Sequence, residues 1–289
     1  AFAVRRSGGM AFSVHTGLYG AEWYFLDPEN RPASNPGVIV DFRAFLLATG
    51  GLDAARAHFE TCMAALGIRY VDTQLRVSRV DFAVDLFAPW FEPDREALVV
   101  PPGTRMREWT GVDETETHST GARTTGLRAG AVAGRQLVIY DKRAEVIATG
   151  KLGWLEIWNR ARADNGKPHL DLSDREESQV WRFELRMGAK QLRNRWEMRS
   201  WEDLDAMIGD AYAEFCKKLR YCEKTADTNR ARWPEHPLWD AVRKTIMGHL
   251  VDQRSGIIPD VVKTANRAEH KRMLDGMILG LFVSRAAAE

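Results

Sequence analysis

Hydrophobic and polar positions alternate with a period of two over two stretches of this chain. From Val77 to Leu86 the apolar Val80, Phe82, Val84 and Leu86 fall on one side and Arg79, Asp81, Ala83 and Asp85 on the other, the pattern of a strand buried on one face. From Val180 to Met187 the same rule separates Trp181, Phe183 and Leu185 from Arg182, Glu184 and Arg186. Val38 to Phe42 also reads as a strand. Between Val38–Phe42 and Val77–Leu86, Leu52, Ala55, Phe59, Met63 and Leu66 recur at helical spacing, with Gly67 as a C-terminal stop. The expectation is a strand, helix, strand unit over 38–86.

Pro89 to Gly121 is rich in Pro, Gly and charge and reads as a long surface excursion. A hairpin is expected from Arg123 to Asp141, ending in the strand Gln136–Tyr140. Asp141 is placed to cap a helix that carries Val146 and Ile147 and continues to Trp154 and Trp158. A polar linker follows from Asp164 to Ser178. From Ala189 onward the pattern is helical, broken at Trp233–Pro237 and near Gly256–Pro259. No period of 20 to 50 residues repeats, which excludes a solenoid. The predicted class is α+β: a curved, mostly antiparallel sheet backed by helices, with a helical C-terminal region. A principal domain over 1–205 and a helical region over 206–289, for DNA binding or dimerisation, are the expected divisions.

Composition narrows the class without naming a chemistry. The 289 residues carry 41 Lys+Arg against 40 Asp+Glu, so net charge predicts neither a polyanion partner nor its absence. No apolar run reaches the roughly 18 residues of a membrane span, nor that of a secretory leader, so a cytoplasmic protein without membrane contact is expected. Cys62, Cys216 and Cys222 form an odd set without CxxC spacing, which argues against a disulfide framework or a structural zinc. The chain starts at Ala1 rather than at Met, which suggests a fragment or a processed chain and leaves open whether further domains belong to it. Local charge says more. Gln179 to Ser200 holds six basic residues against two acidic ones, and Lys217 to Arg232 repeats that excess with Tyr221 and Trp233 nearby. Basic patches with aromatics suit a phosphate backbone, although solvated helix faces give the same pattern.

The candidate chemistry lies on the strands. Asp41, Asp81, Asp85 and Glu184 offer carboxylates from three strands, and oxygen ligands of this kind suit Mg²⁺ or Mn²⁺. The alternative is that the acids pair with Arg79, Arg182 and Arg186 across strands. Tyr140 stands at a strand-to-helix junction in Tyr140-Asp141-Lys142-Arg143-Ala144-Glu145. A phenol there can attack a phosphodiester, conserving the bond energy in a tyrosyl phosphate, and the Lys142 ammonium would favour the phenolate and offset transition-state charge. No two of the seven histidines are separated by a single residue, and neither a GxxxxGK[ST] loop nor a GxSxG elbow is present. A P-loop NTPase and a hydrolase of the elbow type are thereby disfavoured.

Ser78-Arg79-Val80-Asp81-Phe82-Ala83-Val84-Asp85, then Thr125-Gly126-Leu127-Arg128-Ala129-Gly130 with Leu137-Val138-Ile139-Tyr140-Asp141-Lys142-Arg143-Ala144-Glu145, then Val180-Trp181-Arg182-Phe183-Glu184-Leu185-Arg186 together resemble the replication initiation factor family. That family comprises rolling-circle plasmid initiators, related phage proteins and relaxases of mobile elements. Order and spacing agree over roughly residues 38–200, and Thr228-Asn229-Arg230-Ala231-Arg232-Trp233-Pro234 resembles the C-terminal part of phage and mobile-element members. The resemblance implies a site-specific DNA nickase that lacks the double-histidine motif, with Tyr140 as nucleophile assisted by Lys142. It implies a divalent metal ion, Mg²⁺ or Mn²⁺, on Asp81, Glu184 and Asp41 or Asp85. DNA contacts are expected from Arg182, Arg186, Arg135, Arg79, Lys190 and Arg193, on an origin that is single-stranded or hairpin-extruded at the nick. A homodimer and a helicase partner fit the same family. Arg186 stands where plasmid initiators often carry a further acid, which leaves the branch open. The role is then replication initiation for a plasmid, phage or integrative element, or the same nick made by a conjugative relaxase, or non-catalytic origin binding.

Overall fold

The computed structural model describes residues 2–4, 10–26, 37–109 and 124–250, with the side chains of 2–4, 10, 11 and 109 left aside. The expected break near 256–259 and the start of the hairpin at Arg123 lie outside these residues, as do 110–121 of the expected excursion. The chain divides into two compact units, 1–76 and 77–289.

In the first unit β1 (Phe2–Val4), β2 (Met10–His15), β3 (Ala21–Leu26) and β4 (Val38–Phe42) form an antiparallel sheet in chain order. Helix α1 (Ala44–Ala65) packs Phe59 and Met63 on Trp23 and Ala21, with the Trp23 and Phe59 rings parallel at 5.8 Å. The helix begins before the expected Leu52. Gly51, at φ 66°, separates a first piece from the predicted one, because only glycine enters that backbone region without strain. The predicted strand, helix, strand unit is not a single sheet: β4 belongs to this first sheet and the Arg79–Phe87 strand to the second unit.

The second unit is built on β5 (Arg79–Phe87), β7 (Met106–Trp109), β8 (Gly126–Gly130), β9 (Arg135–Asp141) and β10 (Val180–Gly188), antiparallel in the order β5-β10-β9-β8-β7. A separate pair joins β6 (Leu98–Val99) to β11 (Arg220–Tyr221). The helices are α2 (Lys142–Thr149), α3 (Gly153–Asp164), the single turns α4 (Arg175–Ser178) and α5 (Ala189–Leu192), α6 (Trp201–Lys218) and α7 (Pro237–His249). The observed class is therefore α+β with antiparallel sheets, as the alternation predicts.

Strand alternation decides which face of the five-stranded sheet is the core. Val84, Phe183, Ile139 and Leu127 stand side by side across four strands, as do Phe82, Leu185, Leu137 and Ala129. Against this apolar face α6 lays Leu204, Ile208, Ala211 and Phe215, and α7 lays Trp239, Val242 and Ile246. The Tyr212 hydroxyl bonds the main-chain oxygens of Val80 and Leu185 at 3.0 and 3.1 Å. Helices α6 and α7 are thus the second layer of the sheet domain rather than a separate region, and the expected boundary at 205/206 falls inside α6. The expected surface excursion also contributes to this core, through Phe91, Ala97 and Leu98. No described helix is long and apolar enough to cross a membrane. The three cysteines are free.

At the end of β10 the backbone of Gly188 meets the β8–β9 turn. A Cβ there would lie 2.0 Å from the Val132 oxygen, whereas one at Gly134 would meet only the Ala131 oxygen, at 3.7 Å. Backbone cannot give way as a flexible side chain can. Gly188→Ala is expected to cost about 2 kcal/mol or more in urea denaturation, and Gly134→Ala less than about 1 kcal/mol. Equal midpoints for the two variants would contradict that close approach.

Candidate active site

The face opposite the core is polar, and register assembles it row by row. Asp85, Arg182, Tyr140 and Gly126 are successive partners across β5, β10, β9 and β8. The next row on that face is Ala83, Glu184, Val138 and Arg128, and the one after it Asp81, Arg186, Gln136 and Gly130. Tyr140 therefore has a guanidinium on one flank and, on the other, a glycine that presents no side chain.

Arg182 is held from two directions. Its Nε and Nη2 donate to the two Asp85 carboxylate oxygens at 2.6 and 2.7 Å. The Trp154 ring lies 4.1 Å from the guanidinium carbon, a cation–π contact that suits a desolvated arginine. Trp158 Nε1 donates to Asp85 Oδ2 at 2.8 Å. Trp154, Trp158 and Arg162 are four residues apart on α3, and Arg162 continues the stripe by lying 4.6 Å over the Phe87 ring. One helix face thus tracks Arg182, Asp85 and Phe87 in order. The expected single helix through Trp158 is in fact two. Asp141 caps α2 by accepting from the Ala144 amide at 2.8 Å, as predicted, and Gly150 at φ 65° ends it, so that α3 can turn back over the sheet.

Lys142 is almost wholly buried. Its ammonium pairs with Glu145, lies 4.9 Å from the Trp154 ring centre and 5.8 Å from that of Tyr140. Burial, helped by Arg182 and opposed by Glu145, lowers its pKa to about 8. Burial also pushes the Tyr140 phenol far above its ordinary value; Arg182 opposes the shift, while Glu184, Glu145 and Asp85 add to it. The Arg182 guanidinium stays protonated because Asp85 outweighs its burial. The site accordingly holds one permanent cation beside Tyr140 and one titratable near neutral pH.

The remaining acids are spent on arginines, as the alternative reading of the sequence had it. Glu184 receives Arg186 Nε at 2.9 Å, and Asp81 receives Arg79 Nε at 2.8 Å, with Arg186 3.9 Å away. Burial and the nearby Glu184 raise the Asp81 pKa against the pull of Arg79 and Arg186; Glu184, despite its burial, is held below the carboxylate range by Arg186, Arg182 and Arg79. Asp41 lies exposed on β4 of the first unit, opposite Glu22. Among the described residues no three His, Cys, Asp or Glu side chains gather as a metal site. The expected ligand set Asp81, Glu184, Asp41 and Asp85, each of its second-unit carboxylates matched to a guanidinium, does not fit a divalent ion in this arrangement.

The expected DNA-contacting residues divide similarly. Arg182, Arg186 and Arg79 stand on the polar face, paired as described. Arg135 points to the other side and binds Glu214 of α6 at 3.2 Å, beside Arg195. Lys190 is exposed on α5, and Arg193 is partly buried just beyond it. In the second basic stretch Lys224 pairs with Asp94, Arg230 with Glu96 and Arg232 with Asp227. Sequence reasoning missed Glu145 as the partner of Lys142, and the tryptophans as clamps on Arg182 and Asp85. The spacing of Trp154, Trp158 and Arg162 was the available signal.

No family model matches the chain, and no curated protein matches it. Among solved structures it is similar to a rolling circle replication initiator protein from Geobacillus stearothermophilus, with 16% identity and a TM-score of 0.43 over 86% of this chain and 82% of that one.

The clamp on Arg182 carries its own test. Asp85→Asn leaves a buried guanidinium without its counter-charge and is expected to cost about 3 kcal/mol in chemical denaturation. Trp158→Phe, which removes one donor to that carboxylate, is expected to cost about 1 to 2 kcal/mol. An Asp85→Asn protein as stable as wild type would mean that Arg182 does not depend on this partner.

Proposed function

We propose that this protein is a site-specific DNA strand-nicking and rejoining enzyme that initiates rolling-circle replication of a plasmid, phage or integrative element. The observation that carries the reading is the placement of Tyr140 beside Arg182 and under Lys142, on the polar face of an antiparallel sheet. In the proposed step the Tyr140 oxygen forms a bond to phosphorus and the bond from phosphorus to the 3′ oxygen breaks. The 5′ phosphate stays on the tyrosine, the strand keeps a 3′ hydroxyl for a polymerase, and reversal rejoins the ends. Arg182 offsets the negative charge that develops on the phosphoryl oxygens. Lys142, in its neutral form, takes the phenol proton and, as the ammonium, gives it to the departing 3′ oxygen; a group that titrates near 8 is suited to both transfers. A conjugative relaxase would perform the same step and pass the strand to a transfer apparatus. A non-catalytic origin-binding protein is the second reading, and what favours it is that the carboxylates of the polar face are occupied by arginines.

The deciding experiment incubates wild type and Tyr140→Phe with supercoiled DNA carrying a candidate origin, with Mn²⁺ and with a chelator, and resolves covalent adducts on a denaturing gel. Adducts with wild type and none with Tyr140→Phe are expected. Binding by both proteins without adducts would favour the origin-binding reading.

The pH dependence separates the two possible roles of Lys142. Its pKa is lowered in the folded protein, so the neutral amine appears as pH rises through about 8. The rate of adduct formation is expected to rise from pH 7 to 9 with a midpoint near 8. Lys142→Arg, which keeps the charge and cannot release a proton, should lose that midpoint and fall by roughly 10²-fold or more. A rate that instead falls above pH 8, with Lys142→Arg active, would assign Lys142 an electrostatic role.

A further inference from the structure

Two large aromatic rings at the end of β5 are exposed although the strand that leads to them enters the core. Phe87 is 42% and Trp90 67% exposed. Phe87 lies on the polar face two residues beyond Asp85, and it carries the Arg162 guanidinium over one side of its ring. Three residues further, Trp90 rests on the His236 ring at 6.2 Å and 27°. His236 is itself fixed, since Nδ1 accepts the Leu238 amide of α7 at 3.2 Å. Trp90 borders an open groove of about 300 Å³, lined also by Pro89, Phe91, Glu92, Arg175, Glu176 and Gln179. An indole that leans on a second ring and keeps two thirds of its surface in solvent offers a face on which another ring can stack.

The charges bordering the groove indicate what it receives. One arginine faces two glutamates, so a phosphate gains little there, whereas a neutral planar ring is not repelled. Gln179, which lines the groove, is 2% exposed, and its carboxamide is turned to Asp141 rather than to solvent. Phe87 with Arg162 presents the other surface that unpaired bases favour, an aromatic ring beside a guanidinium plane.

We propose that Phe87 and Trp90 form a stacking track at the end of β5 that takes unpaired nucleobases of single-stranded DNA, with Trp90 receiving one base in the groove. The proposal rests on the reading of DNA as substrate and adds which part of the strand is held, and where. Both rings are exposed, so their replacement leaves the fold intact.

The test compares labelled oligothymidylate with an abasic strand of equal length by fluorescence anisotropy, for wild type, Phe87→Ala, Trp90→Ala and Trp90→Phe. Wild type should prefer the base-bearing strand. Trp90→Ala should lose roughly tenfold or more in affinity for it, Phe87→Ala a similar factor, and Trp90→Phe should recover part of the loss. Binding of the abasic strand should be the same in all four proteins. Equal affinities for the two strands in wild type, or a base preference that survives Trp90→Ala, would overturn the track; a groove that serves a peptide partner gives that result. If wild type forms no covalent adduct yet shows the Trp90-dependent preference, the nicking reading falls and the track stands.

Discussion

The bidentate pair between Arg182 and Asp85 is the constraint on which the polar face depends. A guanidinium this deeply placed must have a counter-charge, because removing one partner of a buried pair costs several times what the pair contributes. Only one register of β5 against β10 supplies it, and the same register puts Phe183 against Val84 on the core side. Polar and apolar faces therefore specify the same alignment. Once Arg182 is fixed, its other neighbour across β10 is Tyr140, so the position of the phenol is set by an ion pair in which it takes no part. Helix α3 completes the arrangement, since Trp154 covers the guanidinium and Trp158 bonds the carboxylate.

Much of this could be read from the residues, for a physical reason. Strands buried on one face write their geometry into the sequence with a period of two, so β5 and β10 emerged with Asp81 and Asp85 on the face shared by Arg79, and Arg182, Glu184 and Arg186 together. The cap at Asp141 was legible because capping is local. Register is not local: nothing within Val180–Gly188 says that Arg182 meets Asp85 rather than Asp81, and the expected metal cluster rested on that missing information. Asp41 was grouped with the other acids because β4 has the same alternation, yet a strand pattern does not say to which sheet it belongs. The helix after Tyr140 was read as continuous because Trp154 and Trp158 fit a helical period; Gly150 interrupts it, and the interruption lets α3 cross back over the sheet.

The division of the chain was misplaced for a related reason. A run of helices after the last strand looks like a domain when read along the sequence. The apolar face of the sheet needs a covering layer, however, and α6 and α7 are that layer, with Tyr212 bonded to two strands. An amphipathic helix shows that it must pack on something, and only the sheet's unfilled face says on what.

The charges on the polar face differ in how readily they can be exchanged. Arg79, Arg182 and Arg186 oppose Asp81, Asp85 and Glu184, so a backbone phosphate arriving here competes with a carboxylate already in place. Arg182 is the least exchangeable: its side chain is 7% exposed, it has both Asp85 oxygens, and an indole covers it. Arg79 is 43% exposed at the side chain, and an exposed ion pair contributes little to stability, whereas Arg186, 23% exposed, is held by Glu184 and Gln136. If the proposed DNA substrate binds here, the inner pair is suited to keep its geometry, and Arg79, with the most exposed of the three arginine side chains, to exchange its acid for a phosphate. On the proposed reading, a polyanion would meet the rim of this face, where Arg79 and Arg128 stand, before it met the residues around Tyr140.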